Sequence, residues 1–520
     1  MVIRKISYYR VIVSLCLFMF LLSPVFGDEI SAVSFDKELP ENNIVTIQPD
    51  SLRILHNPLT GWVLYASMGV DAADFWAQYD HMYIPELGHN VSVTDYAHTL
   101  YIRASWTDFN PQEDVYGWKI DSNLRAYIEG AYQRNMRLAF RVVVDSRDKR
   151  TEFTPQFVKD AGAKGFMNKG KWSPYSDDPV FQKYYTKFVK ALAKDFNDPS
   201  KVEFIDGFGL GKWGEYHTMI YSTGDDTPKK AVFDWVTDIY SQAFDKVPVV
   251  INYHRWIGAG KDWVDDEHFA ADSEEMLEEA IKKGYSLRHD AFGMTTYYGS
   301  WERRFAKKYR NICPIIMEGG WIVKSHSYWQ DPRGYRKDSH EDVRRGEFDD
   351  SKEAHVNMMD FRFGDTEFWF KDAFDLVRRF LREGGYRLYP SEISLPLEVS
   401  KKTPPTIKHC WNNMGWGYCP TNIPQWNQKY KVAFALLDSE TNEVRYTFVD
   451  TNTDLSKWIK GSPAEYVFEP DMSKVETGTY VWAVGLVDRS NKDLIGLDIA
   501  AKGDILDSGW LKLSKVSIKK

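Results

Sequence analysis

The stretch Phe204-Ile205-Asp206-Gly207-Phe208-Gly209-Leu210-Gly211-Lys212-Trp213-Gly214-Glu215-Tyr216-His217 begins as an apolar strand and becomes a turn punctuated by glycines. It ends on a carboxylate set between aromatic rings and a histidine. Glycine adopts positive φ without steric cost and lets a ligand approach the backbone closely. A Glu just past such a strand points into the space beyond the sheet edge. The stretch Cys313-Pro314-Ile315-Ile316-Met317-Glu318-Gly319-Gly320-Trp321 has the same design. A short apolar run closes on Glu318 in a turn of Gly and Trp.

Outward from these two stretches, strands alternate with helices. Apolar runs at 99–106 and 137–145 read as strands, and residues 120–135 carry the helical period. Residues 177–196 read as a helix: Asp177 or Asp178 caps it, and Pro179 suits its first turn. Beyond the opening stretch come a helix at 229–244, a strand at 247–253 and a helix at 274–283. A short strand at 285–293, a helix at 300–310 and the strand before Glu318 follow. An eighth strand is expected at 353–359 and a last helix at 366–383. With a first strand after Asn57-Pro58-Leu59-Thr60-Gly61, about eight units lie between residues 57 and 385. This predicts an α/β chain built on a (β/α)8 barrel. A doubly wound open sheet announces itself by a glycine-rich loop after its first strand. Here the glycines come mid-chain and end in Glu.

After Pro390 strand-like runs follow one another without helices, at 393–399, 430–436, 444–449, 464–468, 478–487 and 510–513. They predict a small all-β sandwich at 391–520, behind a barrel at 28–390. Residues 28–50 read as a linker or a short edge strand. Insertions at 71–95, 147–176, 255–273 and 322–352 read as loops walling one end of the barrel.

The net charge of −8 over 520 residues argues against nucleic acid as a partner. Aromatics reach 15%, with 19 Trp and 30 Tyr, while mean hydropathy is −0.46. Either many rings lie near the surface, where they stack on sugar faces, or a large domain buries them. At the N-terminus Arg4, Lys5 and Arg10 precede an apolar core at 11–22, and Pro24-Val25-Phe26-Gly27 offers small residues for cleavage before Asp28. Residues 1–27 therefore read as a signal peptide, and the protein as exported to the periplasm or the extracellular space. No run is long enough for an integral membrane span. Export permits a disulfide between Cys410 and Cys419, which is the expected state, with two free thiols as the alternative. No CxxC or HxxxH spacing occurs, so neither metal nor cofactor is expected.

Barrel sites lie at the C-terminal strand ends. The polar residues closing the strands are Arg103 with Trp106, Arg141 with Asp145, Glu215 with His217, Asn252 with His254, His289 with Asp290, and Glu318 with Trp321. By this count Glu215 follows strand 4 and Glu318 ends strand 7. A Glu after a strand is ordinarily a solvated loop charge. Two of them in matched turns suit glycosidic cleavage, which needs one carboxyl to donate a proton and one to attack or guide water. Arg103 and Arg141 either pair structurally inside the barrel or keep the nucleophile ionised. Trp213 and Trp321 are candidate stacking walls. His289 and Asp290 bind substrate or hydrogen-bond each other, and Asp145 walls the pocket or caps a helix. Tyr297, Tyr298 and His289 suit the base of a polysaccharide lyase, a different reaction on the same barrel. A glycan-binding barrel without catalysis is a further alternative.

Residues 57–385 resemble the large clan of retaining glycoside hydrolases with catalytic Glu residues after strands 4 and 7. The tract Tyr101-Ile102-Arg103-Ala104-Ser105-Trp106, with Asn110-Pro111-Gln112-Glu113-Asp114-Val115-Tyr116-Gly117-Trp118, is similar to a clan segment in which Glu-Pro stands where this chain has Asn110-Pro111. The chain also resembles exported bacterial proteins of unassigned function that open with Asn-Pro-x-x-Gly and close with a β-sandwich. The resemblance implies a carbohydrate substrate, Glu215 as acid/base and Glu318 as nucleophile. The clan keeps Asn before the strand-4 Glu to hold the sugar 2-hydroxyl, and here that residue is Gly214. Asn252 and His254 are the candidates to replace it. Trp411, Trp416 and Trp426 make the sandwich either a packing domain or a carbohydrate-binding module.

Overall fold

The computed structural model describes residues 42–520 apart from 148–150, 261–266, 294–296, 321–339 and 363. The signal-peptide segment and Trp321 lie outside the described residues. Residues Glu41–Lys520 form one compact unit.

Eight parallel strands close into a barrel. They are β1 (Gly61–Tyr65), β2 (Ala97–Ser105), β3 (Arg137–Val143), β4 (Val202–Asp206), β5 (Val249–Asn252), β6 (Tyr285–Phe292), β7 (Ile315–Gly319) and β8 (Met358–Asp360). Each pairs with the next in the chain, and β8 returns to β1 through Met358 opposite Gly61. The alternation of side chains in a strand sorts these runs into two cores. Leu64, Leu100, Leu138, Ile205, Ile251, Leu287 and Ile315 pack outward against the helices. Val63, Tyr65, Tyr101, Ala139, Phe204, Val250, Ile316 and Met358 fill the interior.

The helices form where caps and stripes allow. Asp178 accepts the Phe181 amide at 2.9 Å, Pro179 occupies the first turn, and Phe181, Tyr185, Phe188 and Leu192 are buried along helix Pro179–Phe196. Several expected boundaries move. Residue 353 ends helix His340–Glu353, and the eighth strand starts only at Met358, because His355 takes a left-handed turn at φ 54°. The last helix is two, Thr366–Asp372 and Phe374–Glu383, broken at Ala373 with φ −146°. The expected loop at 71–95 holds helix Ala72–Asp80 and a hairpin of Met82–Ile84 with His89–Val91. Residues 147–176 hold a second hairpin, Gly165–Asn168 with Lys171–Pro174.

Two further sheets stack beyond the barrel. One orders Asn42–Thr46, Leu388–Pro396, Ile407–Asn413 and Ala464–Phe468, so the segment read as linker or edge strand supplies an edge strand. The other orders Glu398–Ser400, Leu511–Lys519, Gly478–Asp488, Tyr430–Asp438 and Val444–Asp450. Ile407–Asn413 had been missed as a strand, although Ile407, His409, Trp411 and Asn413 alternate inward. That alternation turns Cys410 to the outer face, whereas Cys419 is buried, and the two are free thiols rather than the expected disulfide. Trp411, Trp416 and Trp426 are all buried, which removes them as a sugar-binding platform. The same holds more widely: among the described residues the only strongly exposed large aromatic is Tyr83, so the rings are core material.

The barrel interior and the sandwich share one apolar cluster, running from Ala139 and Phe204 through Leu59 and Tyr386 to Trp411 and Trp482. The sandwich therefore closes the N-terminal end of the barrel. Asn357 Nδ2 donates to the Tyr418 carbonyl at 2.9 Å, and Trp416 Nε1 to the Val356 carbonyl at 2.9 Å. The Asn-Pro-x-x-Gly segment is part of this seam. Asn57 accepts from the Asp498 amide at 2.7 Å and donates to its carbonyl at 3.0 Å, and Leu59 N donates to the buried Glu203 at 2.5 Å. Leu59 at φ 51° and Gly61 at φ 93° make the turn. Asn57→Ala is expected to lower unfolding free energy by about 1–3 kcal/mol, since it orphans two backbone groups. A urea midpoint unchanged from the parent would count against this seam.

Candidate active site

The interior changes character toward the C-terminal strand ends. Two residues above the apolar layer seven of the eight strands turn a polar group inward: Arg103 on β2, Arg141 on β3, Asp206 on β4, Asn252 on β5, Arg288 on β6, Glu318 on β7 and Asp360 on β8. Buried charges of both signs must pair, and here they do so in a chain. Arg141 Nε contacts Asp206 Oδ2 at 2.6 Å, its Nη1 contacts Glu215 Oε1 at 2.9 Å, and its Nη2 lies 3.4 Å from Glu318 Oε2. Arg288 Nη1 lies 3.0 Å from Glu318 Oε2, and its Nη2 is 2.8 Å from Asp360 Oδ2. Tyr101 OH donates to Asp206 Oδ2 at 3.0 Å. One guanidinium thus joins Glu215 to Glu318, each at most 1% exposed.

Glu215 reaches this position through a tight turn. Gly209, Gly211, Trp213, Gly214, Tyr216 and Thr218 all take φ between 52° and 79°. At Gly214 an added Cβ would meet Gly209 Cα at 3.3 Å and Arg141 Cδ at 3.5 Å. Glycine there follows from the turn, whatever else the position does. His254 Nε2 donates to the Glu215 carbonyl at 2.7 Å while its Nδ1 accepts from the Trp256 amide at 3.1 Å, which fixes the neutral tautomer. Tyr297 OH donates to Glu215 Oε2 at 3.2 Å, and His217 Nε2 is 3.5 Å from the same oxygen. The Trp213 ring is half-buried, edge-on to His217 at 5.4 Å.

Of the other candidates, Arg103 sits at the rim, donating to the Trp213 carbonyl at 2.8 Å and to Tyr65 OH at 3.4 Å. Asp290 pairs with Arg362 at 3.1 Å. His289 donates from Nδ1 to the Asp290 carbonyl, and its Nε2 has no partner among the described residues. Asn252 is 2% exposed with both amide atoms unpartnered. Two candidates are not brought to the pair. Trp106 opens a short helix and packs outside the barrel against Tyr185 and Phe188, at 5.2 and 5.8 Å. Asp145 is clamped by Arg147 Nε at 2.7 Å and lines a separate hollow with Leu210 and Gly211. Asp206, Arg288, Asp360 and Arg362 were not anticipated. The signal was present: each is charged, and Arg288, like Asp206 and Asp360, lies two residues beyond an inward apolar or small one. Among the described residues no group of three or more His, Cys, Asp or Glu is arranged to hold a metal ion.

Burial alone would raise both carboxyls. For Glu215 the His217 contact and the charges of Arg141 and Arg103 outweigh it and hold the group well below the usual range. For Glu318 the charges of Arg288, Arg141 and Arg103 do the same. At 3.5 Å the His217 contact is at the limit of a hydrogen bond, so Arg141 is the firmer hold. Asp290 goes the other way: burial, helped by Glu215 and Glu318, pushes it well up against Arg362. Burial pushes Asp360 to about 7 despite Arg288. Burial lowers His254 to about 3, and His98 near the opposite barrel end likewise to about 3.

These shifts have a consequence for stability. An unfolded His takes up its proton near pH 6.5, whereas His254 and His98 stay neutral in the fold to about pH 3. Below pH 6.5 the unfolded chain therefore binds up to two extra protons and stability falls. Asp360 opposes this, keeping in the folded state until about pH 7 a proton that the unfolded chain releases near pH 4. His289 and His355 are lowered as well, and Asp290 and Glu347 are raised with Asp360, so the lowered imidazoles outnumber the raised carboxyls and stability falls as the pH drops from 6 to 4.5. Unfolding midpoints are expected to climb through that window and flatten above pH 7. A flat profile from pH 4.5 to 6.5 would contradict neutral buried histidines.

No protein-family model matches the chain, and no curated protein matches it. Solved structures do. The endo-β-1,4-mannanase of Thermotoga petrophila is 13% identical over 89% of this chain and 98% of its own, with a TM-score of 0.39. Endo-glycoceramidase II of Rhodococcus sp. is 12% identical over 82% and 99%, with a TM-score of 0.38. An endoglucanase of Pseudomonas stutzeri is 8% identical over 62% and 94%, with a TM-score of 0.36. At these scores the likeness is loose, and the barrel rests on its own strand pairing.

Proposed function

We propose that the chain is a glycoside hydrolase acting on O-glycosidic bonds of a glycan or oligosaccharide. Glu318 is the nucleophile and Glu215 the acid/base, in a retaining mechanism. The observation that carries this reading is Arg141, whose two Nη atoms reach Glu215 at 2.9 Å and Glu318 at 3.4 Å. Two carboxyls spanned by one guanidinium suit the short separation of retaining enzymes better than the gap that admits a water. Glu318 has an oxygen, Oε1, without a hydrogen-bond partner among the described residues, and it is held ionised, as a nucleophile requires. Glu215 is ionised at rest, which is the base form needed for the second step. The first step needs its proton, and loss of the neighbouring negative charge on substrate engagement at Glu318 does not supply one. Glu215 takes that proton from solvent before the glycosidic oxygen is in place. By its N-terminal segment we place the enzyme in the periplasm or outside the cell.

The test is a panel of aryl glycosides and polysaccharides with the parent and Glu215→Ala. For glycosides with poor leaving groups, removing the acid is expected to cost about 10²–10⁴-fold in rate. Dinitrophenyl glycosides, which leave without a proton, should be spared in the first step. Equal loss on both leaving groups would remove Glu215 from the acid role. A non-catalytic glycan-binding barrel is favoured by one observation, that both carboxylates rest ionised. Binding without turnover by any panel member would establish it. Of the lyase's candidate bases, burial pushes the Tyr297 and Tyr298 phenols far up, which leaves His289.

A further inference from the structure

Four guanidinium groups reach the upper barrel: Arg103, Arg141, Arg288 and Arg362. Three are matched. Arg141 holds Asp206 and Glu215, at 2.6 and 2.9 Å. Arg288 holds Glu318 and Asp360, at 3.0 and 2.8 Å. Arg362 holds Asp290 at 3.1 Å. Every described carboxylate in the chamber is thereby taken. Arg103 is left over. Its described partners are both neutral, the Trp213 carbonyl and the Tyr65 phenol, which occupy two of its five N–H donors. It is also placed differently. Glu215, Glu318, Arg141 and Arg288 are 0–1% exposed, whereas Arg103 is part-exposed beside the Trp213 backbone.

Glu215 and Glu318 act on Arg103 only through space, and its remaining N–H donors make no ion pair among the described residues. The fork of a guanidinium matches a planar carboxylate or a sulfate in bidentate fashion. Sugar hydroxyls can accept from it singly but do not match the fork.

We propose that the substrate of this site is an acidic glycan, whose uronate carboxylate or sulfate ester is received by Arg103 at the rim of the chamber. The inference rests on the glycan-hydrolase reading above and names its substrate class. The competing account is that Arg103 acts only through space on Glu215 and Glu318, in which case a neutral sugar serves equally well.

The experiment uses the full chain and matched substrates. These are 4-nitrophenyl glucuronide against glucoside and galacturonide against galactoside in both anomers, and 4-nitrophenyl N-acetylglucosaminide with and without a 6-sulfate. An acidic polysaccharide before and after reduction of its carboxyl groups completes the set. The charged member is expected to show a kcat/KM higher by about 100-fold, the scale of a desolvated charge pair. Preference for uronides alone identifies the carboxylate, and preference for the sulfated sugar alone identifies the sulfate. In Arg103→Gln the ratio of charged to neutral turnover should collapse toward one, chiefly through KM, while Arg103→Lys keeps part of it. Should Arg103→Gln fail to fold, the parent's matched ratios and Arg103→Lys still decide. Neutral members turned over as well as charged ones, or equal losses on both in Arg103→Gln, would overturn the proposal and leave the hydrolase reading standing. Failure of the hydrolase reading looks different: no member of any pair is cleaved, and Glu318→Gln behaves as the parent.

Discussion

Glu318→Ala is expected to abolish turnover of every glycoside the parent cleaves, by about 10⁴-fold or more. The expectation follows from position. Glu318 is carried on β7 itself, not on a loop, and two guanidiniums approach the same oxygen, Arg288 at 3.0 Å and Arg141 at 3.4 Å. Its other oxygen is unengaged among the described residues. A water could replace the side-chain volume but could not form the covalent intermediate that divides the reaction in two. Azide should restore part of the rate in the Ala variant, attacking the anomeric carbon from the face that Glu318 vacates. The product is then a glycosyl azide of the opposite anomeric configuration, with the aglycone leaving on the proton from Glu215. Circular dichroism must show the variant folded, since one ion-pair partner of two arginines is gone. A folded variant within tenfold of the parent removes Glu318 as nucleophile.

The largest effect on stability is expected at Arg141. Arg141→Met keeps most of the side-chain volume but removes the charge that Asp206, Glu215 and Glu318 share. Breaking a buried pair from one side leaves uncompensated charge in a medium that solvates it poorly. A loss of about 3–5 kcal/mol is expected, read as a fall in urea midpoint at constant m-value. An exposed pair gives the contrast. Arg125 and Glu129 meet at 3.1 Å on a helix surface with both side chains more than half exposed, so Arg125→Met should cost about 0.5 kcal/mol or less. If the two variants lose equal stability, the interior network is not what holds the upper barrel together.

The alternation of strand and helix was legible because parallel barrel strands are buried on both faces and read as continuous apolar runs. Glu215 was legible because it follows such a run in a turn rich in glycine, and Glu318 because it closes one just before Gly319 and Gly320. Less was visible of the chamber itself. Looking for the residue that closes each strand finds Trp106, which the period of two turns away from the pore, and Asp145, which shares the parity of Arg141 but lies past the end of β3 and is clamped by Arg147. The interior is read instead by counting back along the strand, from Phe204 to Asp206 or from Met358 to Asp360. Arg288 stands in the same register in a strand that otherwise reads as ordinary. Which arginine pairs with which carboxylate depends on three strands distant in sequence, and no local pattern carries that. The sandwich failed at Ile407–Asn413, where a histidine, a cysteine and two asparagines disguise a strand whose alternate positions are all buried. Aromatic content misled in the other direction, since a core shared by barrel and sandwich consumes far more rings than either would alone.

The edge strand Asn42–Thr46 sets a timetable for the chain. Its ladder partner is Leu388–Pro396, and Asn42 meets Ser394 across 352 residues of sequence. Contacts of such separation slow folding, because the loop must close before they contribute. As the chain emerges from synthesis, this strand waits unpaired until about two-thirds of the sequence has followed it. The barrel floor, which ends in the same apolar cluster as the sandwich, waits with it. A chain halted near residue 390 would present an open strand edge beside an uncovered hydrophobic floor, the pairing surface on which aggregation begins. Such a chain should depend on holding factors until its last quarter arrives.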